Sequence, residues 1–453
     1  MRFLRSPFQG HRNMNATRIV AVSFGLIILI GTLLLMLPVA STSGQSCGLI
    51  TALFTATSAT CVTGLILVDT LTAWTLFGQA VILIMIQLGG LGFMTVITLF
   101  SLALNRRINL SERLVMVSTL NLNDMSGVVR VVRNALYVTF GVEGSCALIL
   151  AFRLIPEYGI GGGVWRGVFT AVSAMCNAGF DLFGPEGGGS LMRYHSDPLI
   201  LLIIMFLITF GGLGFFVWAD LGRAKRWRDL QLYSKLVLGM TAGLILFGAV
   251  YFFCAEYNNP ATLGSMSVAE KVLNSFFQSV TLRTAGFYSF AQGALQDSSL
   301  AVCCLLMLIG GSSGSTAGGL KTVTVAVLLL ALRAGLRGKA EVTIRRRSLP
   351  ASRVLNALTL ACMVLILFVA GAISISTVEG LPFMQAAYET ASAIGTVGLT
   401  TGITPGLSIF SQLLLIILMY LGRVGILSFS MAFLIHQRYP AKIQYPSLDV
   451  LIG

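Results

Sequence analysis

The sequence contains little charge and almost no histidine. Only 10% of its 453 residues are Asp, Glu, Lys or Arg, against about 25% in ordinary soluble domains. The three histidines are scattered, and the eight cysteines form no CxxC pair. The cysteines are therefore interpreted as small buried hydrophobic residues. Because 56% of the chain is hydrophobic, we predict a polytopic membrane protein.

Two short motifs resemble enzyme signatures without the context that those signatures require. Residues 310–314 fit the G-x-S-x-G nucleophile motif, which needs a strand–turn–helix context and a histidine base. The histidines stand at 11, 195 and 436, in terminal or loop positions. Residues 314–322 nearly spell a phosphate-binding loop, but Lys321 falls one residue late and no soluble α/β pattern surrounds it. We therefore predict no enzyme activity, no bound nucleotide and no covalent cofactor.

Eight apolar runs are long enough to cross the hydrocarbon core, which takes about 20 residues. They lie near 18–38, 75–104, 133–152, 198–219, 234–255, 299–332, 354–376 and 407–435. Between the members of each pair lies a shorter segment rich in Ala, Ser, Thr and Gly, near 49–59, 164–176, 268–281 and 383–394. These four segments are too short to cross, so they are predicted to be re-entrant half-helices.

This pattern repeats four times as helix, half-helix, polar loop and helix. Two crossings per repeat give all four units one orientation, so they can surround an axis along the membrane normal. The predicted fold is all-α, with eight transmembrane helices and four re-entrant pore helices around a central pore. The predicted divisions are a cytoplasmic tail at 1–17, unit one at 18–128, unit two at 129–229, unit three at 230–348, unit four at 349–436 and a second cytoplasmic tail at 437–453.

The net charge of +13 is explained by topology better than by nucleic-acid binding. Of the 30 basic residues, 23 cluster in segments that share one side if eight runs cross, at 2–18, 106–133, 223–235, 333–353 and 438–442. The positive-inside rule places that side and both termini in the cytoplasm. We predict a multi-pass protein of the cell membrane, surrounded by lipid and without a nucleic-acid partner.

A short polar loop ending in glycine follows each predicted half-helix. The loops are Val62-Thr63-Gly64, Asn177-Ala178-Gly179, Thr284-Ala285-Gly286 and Thr396-Val397-Gly398. A pore can replace the hydration water of K⁺ with rings of backbone carbonyls, and glycine permits the backbone conformations that point carbonyls inward. These twelve residues are therefore predicted to form a selectivity filter that binds K⁺.

One charged residue, Arg283, directly precedes the third loop. An unpaired charge at this depth is costly. We therefore expect its side chain to point away from the axis and to bond backbone carbonyls or a carboxylate behind the loop.

The second long helix of unit three contains a Gly/Ser/Thr-rich stretch at 310–319. Gly and Ser stabilise helices poorly, so a break is predicted across 311–318. Irregular backbone at membrane depth needs protein or a water-filled cavity beside it, and such a loop could lie below the filter and block the path. Lys321 follows the break, and helix-end snorkelling is its alternative role. Arg423, inside the last predicted helix, is a candidate electrostatic barrier, with a structural ion pair as the alternative.

A second repeat signal lies in the long helices that follow the loops. G-G-L-G-F occurs at 89–93 and at 211–215, and unit four has L-G-R-V-G at 421–425. Small residues let membrane helices approach closely. We interpret the motif in units one and two as a helix-packing surface.

Together these motifs resemble the potassium-translocating subunits of the bacterial Ktr/Trk/HKT superfamily, most closely the KtrB type. The resemblance covers nearly the whole chain and rests on 33–38, 58–65, 283–287, 310–319 and 422–425. It assigns the filter glycines to Gly64, Gly179, Gly286 and Gly398. In plant relatives a serine at the first of these positions accompanies sodium transport, so four glycines favour potassium.

The same resemblance implies how the pathway is controlled. It assigns the role of gating loop to Gly311, Ser312, Ser313, Gly314, Ser315 and Thr316, with Lys321 beside them, and a gating role to Arg423. It further implies a homodimer, a cytoplasmic nucleotide-binding ring of the KtrA type as partner, and activation by Na⁺. A strictly coupled Na⁺/K⁺ or H⁺/K⁺ symporter of the alternating-access type is the alternative function.

Overall fold

The computed structural model describes residues 16–92, 128–184, 188–339, 341–344 and 347–425. This part of the chain is built almost entirely from α-helices. In chain order they are α1 Ala16–Leu35, α2 Leu49–Thr60, α3 Thr70–Ala73, α4 Leu76–Leu91, α5 Val128–Cys176, α6 Pro198–Leu213, α7 Phe215–Arg223, α8 Leu232–Ala255, α9 Val268–Thr281, α10 Asp297–Leu308, α11 Thr322–Leu336, α12 Ala351–Glu379, α13 Phe383–Gly395 and α14 Ile409–Val424. A short antiparallel hairpin, β1 Thr343–Ile344 and β2 Arg347–Ser348, connects α11 and α12.

The predicted half-helices agree closely with the observed helices. Three of them are α2, α9 and α13, and each packs against the long helix before it. The fourth is the last part of α5, where Gly159 has a φ of 72° and reverses the chain. A methyl group added to Gly163 would lie 2.6 Å from the amide nitrogen of Ile155, and one on Gly167 would lie 2.8 Å from that of Ala151. Glycine therefore allows the two arms of α5 to pack closely.

The long helices that follow the loops end or bend at glycine. Gly92 and Gly214 have φ values of 79° and 84° and terminate α4 and α6, and Gly425 has a φ of 89° after α14. The apolar run predicted at 198–219 is divided between two helices, because α6 and α7 meet at an angle of 95°. In unit three the predicted break is present, between α10 and α11. The glycines interpreted as a packing motif thus also interrupt the helices.

Three helices in the described ranges are long and apolar enough to cross a membrane, or four if α6 and α7 form one span. They include α8 and α12, whose large apolar side chains are exposed on one face, among them Leu246, Phe247 and Val250. The shorter α2 and α13 are buried instead, and every residue of α13 from Ala386 to Gly395 is buried. The molecule therefore has an apolar exterior around buried half-helices. Most of the predicted tails and the later parts of the predicted runs 75–104 and 407–435 lie outside the described residues.

Candidate functional site

The four glycine loops lie in one closed ring. A methyl group placed on Gly64 would come within 2.5 Å of the Ala178 carbonyl oxygen, and one on Gly179 within 2.9 Å of that of Ala285. One on Gly286 would approach the Val397 oxygen to 2.6 Å, and one on Gly398 would collide with the Thr63 oxygen. The contacts therefore run from each unit to the next and return to the first. All twelve residues predicted for the filter belong to this ring.

The loops share one backbone conformation. The four glycines have φ values between 72° and 94°. The first residue of every loop also has a positive φ, 57° at Val62, 59° at Asn177, 67° at Thr284 and 52° at Thr396. Such values are uncommon for residues with a side chain, and their recurrence at four equivalent positions indicates a shared constraint. The sign of φ therefore changes in the same order along each loop. As a result, the carbonyl groups of equivalent residues occupy equivalent positions around the ring.

Hydrogen bonds from the preceding half-helix hold three of the loops. The Thr63 and Val397 amides donate to the Ser58 and Ser392 carbonyls at 2.8 Å, and the next amides, of Gly64 and Gly398, donate to the hydroxyls of the same serines at 3.0 Å. In unit two the Ala178 amide donates to the Ser173 carbonyl at 2.7 Å. A serine six residues before the glycine thus supports units one and four through its carbonyl and its hydroxyl, and unit two through its carbonyl alone.

Loop four has an additional support on its far side. Glu389 of α13 is fully buried and accepts from the hydroxyls of Thr400 and Thr404 at 2.7 Å and from the Thr401 amide at 2.9 Å. The carboxylate therefore fixes the turn that follows Gly398.

Loop three is built differently. Val280 stands where the other units have serine, and the Ala285 amide donates to the Thr281 carbonyl at 2.9 Å. The Asn177 side chain of loop two donates to the Arg283 carbonyl at 3.3 Å and ties the two loops together. The expected partners of the Arg283 guanidinium are not found in the described ranges, where no carboxylate pairs with it and its Nε lacks an acceptor.

The predicted gating loop lies directly against the ring. Residues 309–321 connect α10 and α11, and Ile309 and Leu320 run parallel at the two ends of the loop. The Thr316 hydroxyl donates to the Met175 carbonyl of α5 at 3.2 Å. A methyl group on Gly318 would collide with the Thr396 hydroxyl of loop four. The loop therefore touches the segments on both sides of the ring.

The C-terminal end of α6 packs against this loop. The Ser312 amide donates to the Gly212 carbonyl at 3.0 Å, and the Ser312 hydroxyl donates to that of Leu213. In the opposite direction, the Phe215 amide donates to the Gly314 carbonyl at 3.1 Å. The last carbonyls of a helix lack partners within it. The bend at Gly214 makes these groups available to the loop.

Arg423 joins three units at the loop. Its guanidinium donates to the carbonyl oxygens of Thr316 in the loop and of Gly89 and Gly90 at the end of α4. The three ion pairs found within the described ranges all involve Arg153 or Arg193. The alternative of a structural ion pair for Arg423 therefore has no support there.

Lys321 binds the same segment. Its ammonium donates to the Ala317 carbonyl at 2.6 Å, so two cationic side chains bind successive carbonyls of the loop. This contact accounts for its position better than snorkelling at a helix end.

Sequence reasoning missed Tyr233, whose hydroxyl donates to the Ser313 carbonyl of the loop at 3.1 Å. It stands near the start of α8, between Leu232 and Ser234, and carries no local signal. Sequence reasoning also missed the contact between the end of α6 and the loop. A signal for it was present, since G-G-L-G occurs in both units one and two.

A ring of backbone loops enclosed by apolar helices, with a separate buried segment against it, defines a membrane transport protein for small cations. Comparison with known proteins agrees. The model of the family described as TrkH, cation transport protein, matches residues 3–443. The chain therefore belongs to the TrkH family of cation transport proteins.

Individual relatives match over nearly their whole length. The chain is 41% identical over 436 residues to the Ktr system potassium uptake protein B of Bacillus subtilis, covering 96% of both chains. It is 40% identical to the potassium/sodium uptake protein NtpJ of Enterococcus hirae, covering 98% of both. The crystal structure of the potassium transporter TrkH from Vibrio parahaemolyticus has the same fold, with a TM-score of 0.74 at 17% identity over 95% of this chain and 86% of that one.

Proposed function

We propose that the protein takes up K⁺ across the cell membrane through the ring of four loops. The observation that carries the proposal is the closed order of contacts, in which each filter glycine faces the carbonyl that precedes the glycine of the next unit. Carbonyl rings of this kind replace the hydration shell of a monovalent cation. Each half-helix directs its partially negative C-terminal end toward the same place. The potassium uptake named for the Bacillus relative is consistent with this function.

The segment 310–319 acts as the gate in this proposal. It is fixed by Arg423, Lys321 and Tyr233 through its own backbone carbonyls. A buried loop with this many partners does not move independently of them. We propose that opening requires displacement of the loop from α6 and from Arg423, whose charge also repels a passing cation.

The remaining features complete the proposal. The membrane potential supplies about 2.3 kcal/mol per charge per 100 mV, close to 50-fold in accumulation, so no ATP hydrolysis is needed in this chain. We propose eight crossings, in the four units predicted above, with both termini in the cytoplasm. We also propose a homodimer that is regulated by a cytoplasmic nucleotide-binding ring of the KtrA type and stimulated by Na⁺.

The test is K⁺-dependent growth of a bacterium that lacks its own uptake systems, with and without the cytoplasmic nucleotide-binding partner. It is followed by measurement of ⁸⁶Rb⁺ uptake in proteoliposomes. Rescue at low external K⁺ together with uptake driven by an imposed potential is expected. A protein that is present in the membrane but gives neither would contradict the function.

A strictly coupled symporter is the second candidate, since the Enterococcus relative is named for both potassium and sodium. Uptake at a fixed ratio to Na⁺ or H⁺ would favour it. Single-channel conductance in planar bilayers would exclude it.

A further inference from the structure

Arg283 is the one charged residue in the four loops or directly before them. The equivalent positions in the other units are Cys61, Cys176 and Gly395. Its side chain is only 7% exposed, and it follows the last turn of α9, next to Thr284 of the ring. A fixed positive charge is thus held beside a pathway for positive ions.

In the part of the chain that the structure describes, no acidic side chain is found to balance it. The side chain lines a small cavity with Ile208, Thr209, Gly212 and Val280, none of which is acidic. Within the described ranges, no carboxylate forms an ion pair with it and its Nε has no hydrogen-bond acceptor. The nearby negative charge is the partial charge at the C-terminal end of α9, which is the same charge that would attract an ion to loop three.

A charge in this position acts on a bound ion through space. At an effective dielectric constant of about 20, one unit charge at about 10 Å changes the affinity for a monovalent cation on the order of tenfold. Conduction requires binding that is favourable enough for entry and weak enough for release. Loop three therefore differs from the other loops in two respects. It lacks the supporting serine, and a positive charge stands beside it.

We propose that Arg283 sets the cation affinity of the filter, weakening ion binding at loop three so that the ion is released quickly. This inference rests on the proposed function. Because Coulomb repulsion does not distinguish two monovalent ions at the same place, Arg283 shifts the affinities for K⁺ and Na⁺ together. A residue that only shaped the loop would instead change their ratio.

The experiment compares Arg283→Met, Arg283→Gln and Arg283→Lys with the parent. Equilibrium K⁺ and Na⁺ binding is measured by calorimetry in detergent, and the KM and maximum rate of uptake in proteoliposomes. Loss of the charge should lower Kd and KM for K⁺ on the order of tenfold and lower the maximum rate, with the K⁺/Na⁺ ratio within about twofold of the parent. Arg283→Lys should stay within about twofold of the parent in all values.

Lys271 supplies the matched control. It is a buried base of α9, the helix that precedes Arg283, and is bound to the Tyr257 carbonyl at 2.9 Å and to the Tyr257 ring, about 18 Å from Arg283 at 1.5 Å per residue. Lys271→Met should change the KM for K⁺ clearly less than Arg283→Met does, because the Coulomb effect of a charge falls with distance.

A second variant keeps Arg283 in place. Thr209→Asp puts a carboxylate in the same cavity and should lower the KM for K⁺ in the same direction as Arg283→Met. An unchanged KM in folded Arg283→Met or Thr209→Asp, or a changed K⁺/Na⁺ ratio at unchanged K⁺ affinity, overturns the inference. A parent that takes up no K⁺ contradicts the proposed function instead, so the two failures are distinguishable.

Discussion

The ring of four glycine loops and the segment 310–319 beside it are built on opposite principles. The ring uses four copies of one backbone conformation, one from each unit. The segment 310–319 comes from unit three alone, yet it is bound by Gly89 and Gly90 through Arg423, by the end of α6 and by Tyr233. Coordination of an ion needs equal oxygens on all sides, whereas closing a single path needs only one obstacle. In the function proposed above, symmetry is therefore present where the ion would be bound and absent where it would be stopped.

The largest expected effect concerns the ring. Gly398→Ala should reduce K⁺ uptake at least about 100-fold, because a Cβ there collides with the Thr63 carbonyl and φ is 94°. Uptake of ⁸⁶Rb⁺ in proteoliposomes is the measurement. Gly402 is the matched control, with a φ of 97° but no atom within 4 Å of an added Cβ. An equal loss in Gly402→Ala would mean that backbone strain, and not crowding in the ring, decides the outcome.

The next effect concerns the gate. Arg423→Ala removes three hydrogen bonds and a positive charge. It should raise passive K⁺ flux about tenfold in proteoliposomes that lack the cytoplasmic nucleotide-binding partner. Shortening of 312–317 should act in the same direction. Arg333→Ala, which removes an exposed basic residue of α11, serves as the control. Parent-level flux in a well-folded Arg423→Ala protein would remove the barrier role.

A smaller effect is expected on the preference for K⁺ over Na⁺ when Gly286 is replaced. Gly286→Ser places a Cβ 2.6 Å from the Val397 carbonyl and 2.8 Å from the Cα of Gly179, so the ring must widen locally. We expect the K⁺/Na⁺ preference to fall about fivefold in competition uptake. Gly380→Ser, at a φ of 65° in open space, should keep the parent preference. If uptake kinetics for both ions in Gly286→Ser equal those of the parent, loop three is not part of the filter.

The smallest effect concerns Tyr233. Tyr233→Phe removes one hydrogen bond to the loop, worth about 1 kcal/mol, and should raise passive flux about two- to fivefold. Tyr137→Phe changes an exposed tyrosine of α5 and should have no effect. A flux as high as that of Arg423→Ala would indicate that Tyr233, and not the arginine, is the main restraint on the loop.

The parts predicted well from the sequence depend on local backbone chemistry. The segments 49–59, 268–281 and 383–394 correspond to α2, α9 and α13, because short apolar segments that end at a glycine-containing loop have few alternatives in a membrane. The break between α10 and α11 was predictable for a similar reason, since a Gly/Ser-rich run is a poor helix.

The parts predicted badly depend on what packs against a residue. G-G-L-G is compatible with helix packing and with a bend, and only the loop seated on α6 distinguishes the two at Gly214. Three of the residues that line the cavity at Arg283, Ile208, Thr209 and Gly212, belong to the end of α6 in another unit. No local sequence pattern therefore reveals that the guanidinium has no carboxylate partner in the described ranges. Tyr233 was missed for the same reason. These residues act through tertiary contacts and not through sequence spacing.

Among the described residues, the Arg423 guanidinium donates only to main-chain oxygens, and this determines how these contacts respond to acidity. Peptide carbonyls do not titrate at physiological pH, and a guanidinium does not lose its proton in proteins. The hydrogen bonds between these groups are therefore the same in acidic and in alkaline solution. Breaking these contacts therefore requires a movement of the polypeptide and not a change in protonation.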